Sequence, residues 1–234
     1  MQNRAHLDPS IARGGSFAAF GVAAAYLASG LCAALMPPEL QGRPDIAPHE
    51  FWMALSRDPL AHLGFHWSWV VAGLCGLGAV PAVSLLVWEQ NRGAMLWSGA
   101  AALVGFAVLA RSHLMEVAFD RRVIALYPDA AASYQQAVHV AAGLALDVPD
   151  GFLTYGAIGA WVLVVSRLGS RSGALPTGLC RLGELVALTS LLGVVGYTFA
   201  IRPLLLLSIG LGGSLLTPAW YAWMGLVLKR RAAG

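Results

Sequence analysis

The stretch SHLMEVAFDRR, Ser112 to Arg122, ends a long apolar run yet carries a histidine, a glutamate, an aspartate and two arginines. His113, Glu116 and Asp120 recur at i, i+3 and i+7, the spacing that places side chains on one face of a helix. A histidine and a carboxylate one turn apart can ligate a metal, relay a proton, or supply an acid whose pKa burial has raised. On that chemistry Glu116, Asp120 and His113 are the candidate catalytic residues. The alternative is an ion-pair cluster marking a membrane boundary, in which Arg111, Arg121 and Arg122 neutralise Glu116 and Asp120.

The segment HLGFH adds His62 and His66 at i, i+4, a recurrent metal-ligand spacing. No His-Glu-x-x-His occurs, so the zinc-protease reading fails. Brought beside His113 and Glu116, the pair would complete a His₃-carboxylate set suited to zinc, iron or copper. The candidate metal ligands are therefore His62, His66, His113 and Glu116. Haem is a variant that needs one histidine from each of two helices. Against both, Trp52, Trp67 and Trp69 surround the pair, and histidine with tryptophan also fits the aromatic belt of a membrane interface. In LDVPDGF, Asp150 reads as a helix N-cap, or as a partner of Arg122, Arg202 or His139 in the same vestibule. Arg181 and Glu184, at i, i+3, read as a local ion pair.

Composition decides what must hold these residues. Of the 234 residues 58% are hydrophobic and 12% charged, about half the charged share of a soluble domain, and mean hydropathy is +0.66. Such a chain covers its surface if most of that surface meets lipid. Several windows reach the 18 or more apolar residues that cross an apolar layer of about 30 Å as a helix. The expected architecture is an all-α membrane protein, one transmembrane domain over residues 1–234. Its six spans lie at about 15–37, 62–88, 94–117, 150–168, 178–200 and 203–228. Residues 38–60 read as a Pro-rich, acidic loop. YPDAAASYQQAVHVAAGLAL reads as a short surface helix between spans three and four. The first span is too long for a signal-peptide core, so it is expected to be retained.

Six spans put both termini on one side. With the termini in the cytoplasm, nine of the fifteen basic residues fall inside and six outside, which favours N-in/C-in in a bacterial cytoplasmic membrane. His49, His62, His66, His113 and His139 then lie on the outer side. Cys32, Cys75 and Cys180 stand singly in apolar segments, without the pattern of a disulfide framework.

LPTGLCRLGELVALTSLLG (175–193) and TPAWYAWMGLVLKRR (217–231) resemble the closing helices of a family of bacterial six-helix membrane proteins known only as a domain of unknown function. The resemblance covers the last third of the chain and implies a six-helix bundle, with no catalytic residues to carry over. Independently, Trp220, Tyr221 and Trp223 suit the aromatic belt or packing near it, and Lys229 to Arg231 suit a cytoplasmic anchor.

Some functions are excluded. The only lysine is Lys229, so no span can carry a retinal Schiff base. No Gly-x-Ser-x-Gly or phosphate-binding loop occurs, and the basic residues form no stripe for nucleic acid. Three readings stay open. One is a membrane-embedded enzyme or binding protein whose outer vestibule takes a metal, haem or a small lipophilic ligand. The second is a non-catalytic accessory subunit packed on a membrane-protein partner or on a second copy. The third is a small transporter, although spans one, four and six lack central charges.

Overall fold

The computed structural model describes residues 7–41, 46–146 and 151–233, and every regular element in them is helical. In chain order these are α1 (Pro9–Leu35), α2 (Pro48–Arg57), α3 (Leu60–Leu85), α4 (Arg92–Leu126), α5 (Ala132–Leu146), α6 (Ala157–Ser172), α7 (Thr177–Thr198), α8 (Arg202–Leu207) and α9 (Thr217–Ala233). A π-helical stretch, Phe152–Gly156, leads into α6, and a longer one, Ser208–Leu216, fuses α8 and α9 into one rod. Six rods are long and apolar enough to cross a membrane: Pro9–Leu35, Leu60–Leu85, Arg92–Leu126, Phe152–Ser172, Thr177–Thr198 and Arg202–Ala233. The protein is an all-α bundle of six such helices.

Local chemistry sets the helix ends. Asp8 caps α1 by accepting a 2.7 Å hydrogen bond from the Ser10 amide, with Pro9 at the first turn. Asn91 does the same for α4, accepting from Ala94 at 3.0 Å. Gly173, at φ +65°, ends α6 in the left-handed conformation that glycine adopts without strain. The start of α1 meets the end of α9, where Ser16 Oγ donates to the Gly225 carbonyl at 2.8 Å. Pro9 and Ala233 thus share one end of the bundle. The start of α3, the end of α4, α2 and α5 gather at the other.

Two segments depart from expectation. Residues 48–57, expected as loop, form α2. Prolines and acids hide a one-sided helix in which Pro48 opens the first turn and Trp52 and Leu55 share the buried face. Helix α4, expected to end near residue 117, continues to Leu126. Nothing in VAFDRRVIAL breaks a helix before Pro128, and Val117, Asp120 and Val123 extend the buried stripe. At 1.5 Å per residue α4 is about 52 Å long, so its last turns project beyond an apolar layer of about 30 Å. There Met36, Leu40, Trp52, Leu55, Val123, Tyr127 and Val138 form a small second core that fastens α2 and α5 over the bundle end.

The main core brings α3 and α4 unusually close. A Cβ added to Gly73 would lie 2.7 Å from both the Ala110 Cβ and the Phe106 carbonyl oxygen, and one on Gly76 would lie 2.2 Å from the Phe106 ring. Trp161, fully buried, donates its indole N–H to Ser84 Oγ at 3.0 Å and meets Trp220 edge-on at 5.9 Å between centroids. Trp220 and Tyr221 are core residues and not an interfacial belt; only Trp223 is exposed. Glu184 reaches across to Arg167 of α6 at 3.0 Å. This inter-helix pair replaces the expected local pair with Arg181, because α6 packs along the face of α7 that carries Glu184.

Candidate metal centre

The close approach at Gly73 and Gly76 aligns the ends of α3 and α4 so that one face of each supplies a polar cluster. Helix α3 contributes His62 and His66, one turn apart. Helix α4 contributes His113, Glu116 and Asp120. The antiparallel register sets 62 opposite 120 and 66 opposite 116.

The side chains form two triangles that share His66. In the first, His66 Nδ1 stands 2.9 Å from His113 Nδ1, and Glu116 Oε2 lies 3.0 Å from His113 Nδ1 while also pairing with His66 Nδ1. In the second, His66 Nε2 stands 3.1 Å from His62 Nε2, which is 3.2 Å from Asp120 Oδ2. Within each triangle all three candidate ligand atoms lie within 4.8 Å of one another. His66 and Asp120 are buried, at 8% and 4% exposure, and His62, His113 and Glu116 are half-buried.

Protons alone satisfy this geometry poorly. His66 Nδ1 and His113 Nδ1 both address the same carboxylate oxygen. With Glu116 ionised, two N–H groups oppose each other at 2.9 Å if both rings carry hydrogen there, and if one does not, its lone pair faces the carboxylate. A cation bound to all three atoms and seated off the plane of the triangle would resolve every contact. Metal–nitrogen bonds of 2.0–2.1 Å at tetrahedral angles separate ligand atoms by about 3.3 Å, more than the 2.9 and 3.0 Å contacts of the triangle, so the three side chains would ease apart around an ion. Neutral imidazole with carboxylate suits zinc, iron or copper. Haem does not fit between α3 and α4: nitrogens on opposite faces of an iron stand about 4 Å apart with the macrocycle between them, and His66 and His113 are closer than that.

The residues singled out by spacing, His62, His66, His113, Glu116 and Asp120, are thus all in the cluster. A single four-ligand shell from His62, His66, His113 and Glu116 is not what they form, because the two nitrogens of one imidazole cannot reach the same ion. The ion-pair alternative is also not what is seen: among the described residues Glu116 and Asp120 pair with imidazoles, while Arg111, Arg121 and Arg122 are exposed. Asp147 and Asp150 lie outside the described residues. Trp69 is buried behind the cluster, stacked on His113 at 5.8 Å and 16° between planes, and Phe65 meets His66 edge-on. Trp52, also buried, belongs to the second core, so of the three tryptophans near the pair only Trp67 faces outward.

Sequence spacing did not reveal a neighbouring group. The hydroxyl of the fully buried Tyr127 lies between His49 Nδ1 of α2 at 3.2 Å and His139 Nε2 of α5 at 2.6 Å. Burial pushes this phenol above the ordinary tyrosine value. Nothing in the sequence linked these residues, since 78 positions separate His49 from Tyr127.

On the side of Trp69 toward the bundle interior lies a cavity of about 60 Å³, walled in part by Tyr26, Trp69, Tyr155, Ser190, Ser208 and Thr217. Both π-helical stretches contribute to it. The indole Nε1 of Trp69 and the hydroxyl of Tyr221, which lines an adjoining hollow, are buried without a protein hydrogen-bond partner. No family model, curated protein or solved structure matches this chain.

Proposed function

We propose that this multi-pass membrane protein holds a transition-metal ion at the His66, His113 and Glu116 triangle and presents it to a small lipophilic molecule entering the bundle. The observation that carries the reading is the convergence of two imidazole nitrogens and one carboxylate oxygen, in mutual contact, with no proton arrangement that serves all three while Glu116 is ionised.

The site lies where α3 and α4 leave the apolar layer, so an aqueous ion reaches it without crossing lipid. On the other side of Trp69 the cavity has room for about five waters, or roughly one six-membered ring, taking one water per 10–15 Å³ of this measure. A metal there would act as a redox centre toward a ligand on that side, since Trp69 stands between them and bars the direct contact that Lewis-acid action needs; the chain's own part is to fix the ligand geometry and keep the interior apolar. The excess of basic residues on the side of the termini supports a periplasmic mouth in a bacterial inner membrane.

Metal analysis of the purified, detergent-solubilised protein tests this. At least one zinc, iron or copper ion per chain is expected, and His113→Ala or Glu116→Gln should weaken retention by more than the 10–100-fold typical of changes around a metal's ligands. Metal-free protein that also takes up no added ion would end the proposal. Copurification of a stoichiometric partner, with both variants folded and still assembled, would favour an accessory subunit instead.

A further inference from the structure

We propose that His66 bridges two metal ions as an imidazolate, one ion at each of its ring nitrogens. The proposal rests on the metal-centre reading above and extends it to a binuclear site. The lone pairs of an imidazole diverge in the plane of the ring, so its nitrogens serve two different centres or one centre only. Here each nitrogen has its own set of neighbours. His66 Nδ1 faces His113 Nδ1 and Glu116 Oε2; His66 Nε2 faces His62 Nε2, beside which lies Asp120 Oδ2. Each half therefore offers two nitrogens and one carboxylate.

The helix register supports the same arrangement. His62 lies one turn from His66 on α3 and Asp120 lies one turn from Glu116 on α4, a step of about 6 Å for four residues, while His113 reaches the first half from almost two turns before Asp120. Two ions bound at about 2.0 Å to the opposite nitrogens of one imidazole stand about 6 Å apart. The spacing of the ligand sets and the spacing imposed by the bridge thus agree. Charge is also accounted for. A neutral imidazole gives up its remaining N–H proton to water when the second ion binds. Imidazolate, Asp120 and Glu116 then offset three of the four positive charges, at an end of the bundle that borders water.

The test uses the full chain in detergent micelles, stripped with a chelator and titrated with Cu(II), followed by metal content and electron paramagnetic resonance. Binding of two equivalents is expected, with a signal that grows to about one spin and then falls as the second ion couples to the first through the ring. Asp120→Ala, and independently His62→Gln should the first variant not fold, is expected to bind one equivalent and keep the full uncoupled signal. Two equivalents with additive signals overturn the bridge. Saturation at one equivalent overturns the second ion but leaves the metal centre standing, whereas no binding removes both. Retention of a coupled pair in a folded Asp120→Ala or His62→Gln protein also refutes the assignment.

Discussion

Replacing Gly76 by alanine puts a methyl group against the buried ring of Phe106. The added carbon would stand 2.2 Å from Cδ1 and 2.4 Å from both Cε1 and Cγ. Carbon atoms rest at about 3.5–4.0 Å, so the deficit is roughly 1.3–1.8 Å. Phe106 is fully buried and cannot swing aside. The strain is then met by parting α3 from α4, at an expected cost of about 1–3 kcal/mol for an overpacked core. For a chain of this size that corresponds to roughly 2–12 °C in thermal midpoint. A parting of this size, carried along the helices to their ends, would stretch the 2.9 Å gap between His66 Nδ1 and His113 Nδ1 beyond hydrogen-bond reach. Metal affinity should therefore fall together with stability, although no ligand has been touched. Thermal unfolding followed by circular dichroism, and a competition assay for zinc, measure the two effects. Adding Phe106→Leu, which removes the obstructing ring, should recover part of both losses, with a coupling of about 1–3 kcal/mol in a double-mutant cycle. If Gly76→Ala unfolds at the wild-type temperature and binds zinc with wild-type affinity, the argument linking helix approach to site geometry is wrong.

Ser84→Ala leaves the indole N–H of fully buried Trp161 unpaired and should cost about 1–3 kcal/mol in chemical or thermal unfolding, without changing metal content. Tyr127→Phe removes the hydroxyl between His49 and His139 and should loosen α2 and α5 locally, seen as faster amide exchange there while the spans stay protected. Because the native phenol is held above the ordinary tyrosine value, its contribution is complete below that value. It should be lost as pH rises through the higher native one, so wild-type α2 and α5 should loosen at strongly alkaline pH and Tyr127→Phe should lack this step. Glu184→Gln, which weakens the contact with Arg167 near one bundle end, should change stability by less than about 1 kcal/mol, because Arg167 is largely exposed.

The six spans were legible because hydrophobic length is set by the apolar layer and needs no knowledge of neighbours. The polar cluster was legible in part for a similar reason. His62 with His66, and His113 with Glu116 and Asp120, are periodic along single helices, and ionisable groups near a span tend to face inward. What spacing could not convey was which atoms meet. Whether Asp120 turns to Arg121 or to His62 depends on helix rotation, and the division of the cluster depends on the orientation of the His66 ring. The same limit explains Glu184, whose partner lies on another helix. Helix α2 was missed for a different reason: ten residues with two buried apolar positions give too short a periodic signal among prolines and acids. The π-helical stretches left no compositional trace, since Phe152–Gly156 and Ser208–Leu216 read as ordinary apolar helix.

Those wide turns have a consequence for how the chain tolerates change in length. A π-helical turn accommodates an extra residue within a rod that is otherwise regular. Removing one residue between Ser208 and Leu216 would let the ladder relax to the ordinary repeat, and the tighter winding would offset most of the rotation lost with that residue. Trp220, Tyr221 and Met224, now sealed among the other helices, would stay turned inward, whereas a deletion at Thr217 to Ala219, in ordinary helix, would turn them by about 100° toward lipid. The wide segment is thus where the closing rod can lose a residue and keep its phase, although letter by letter it looks like any other apolar helix.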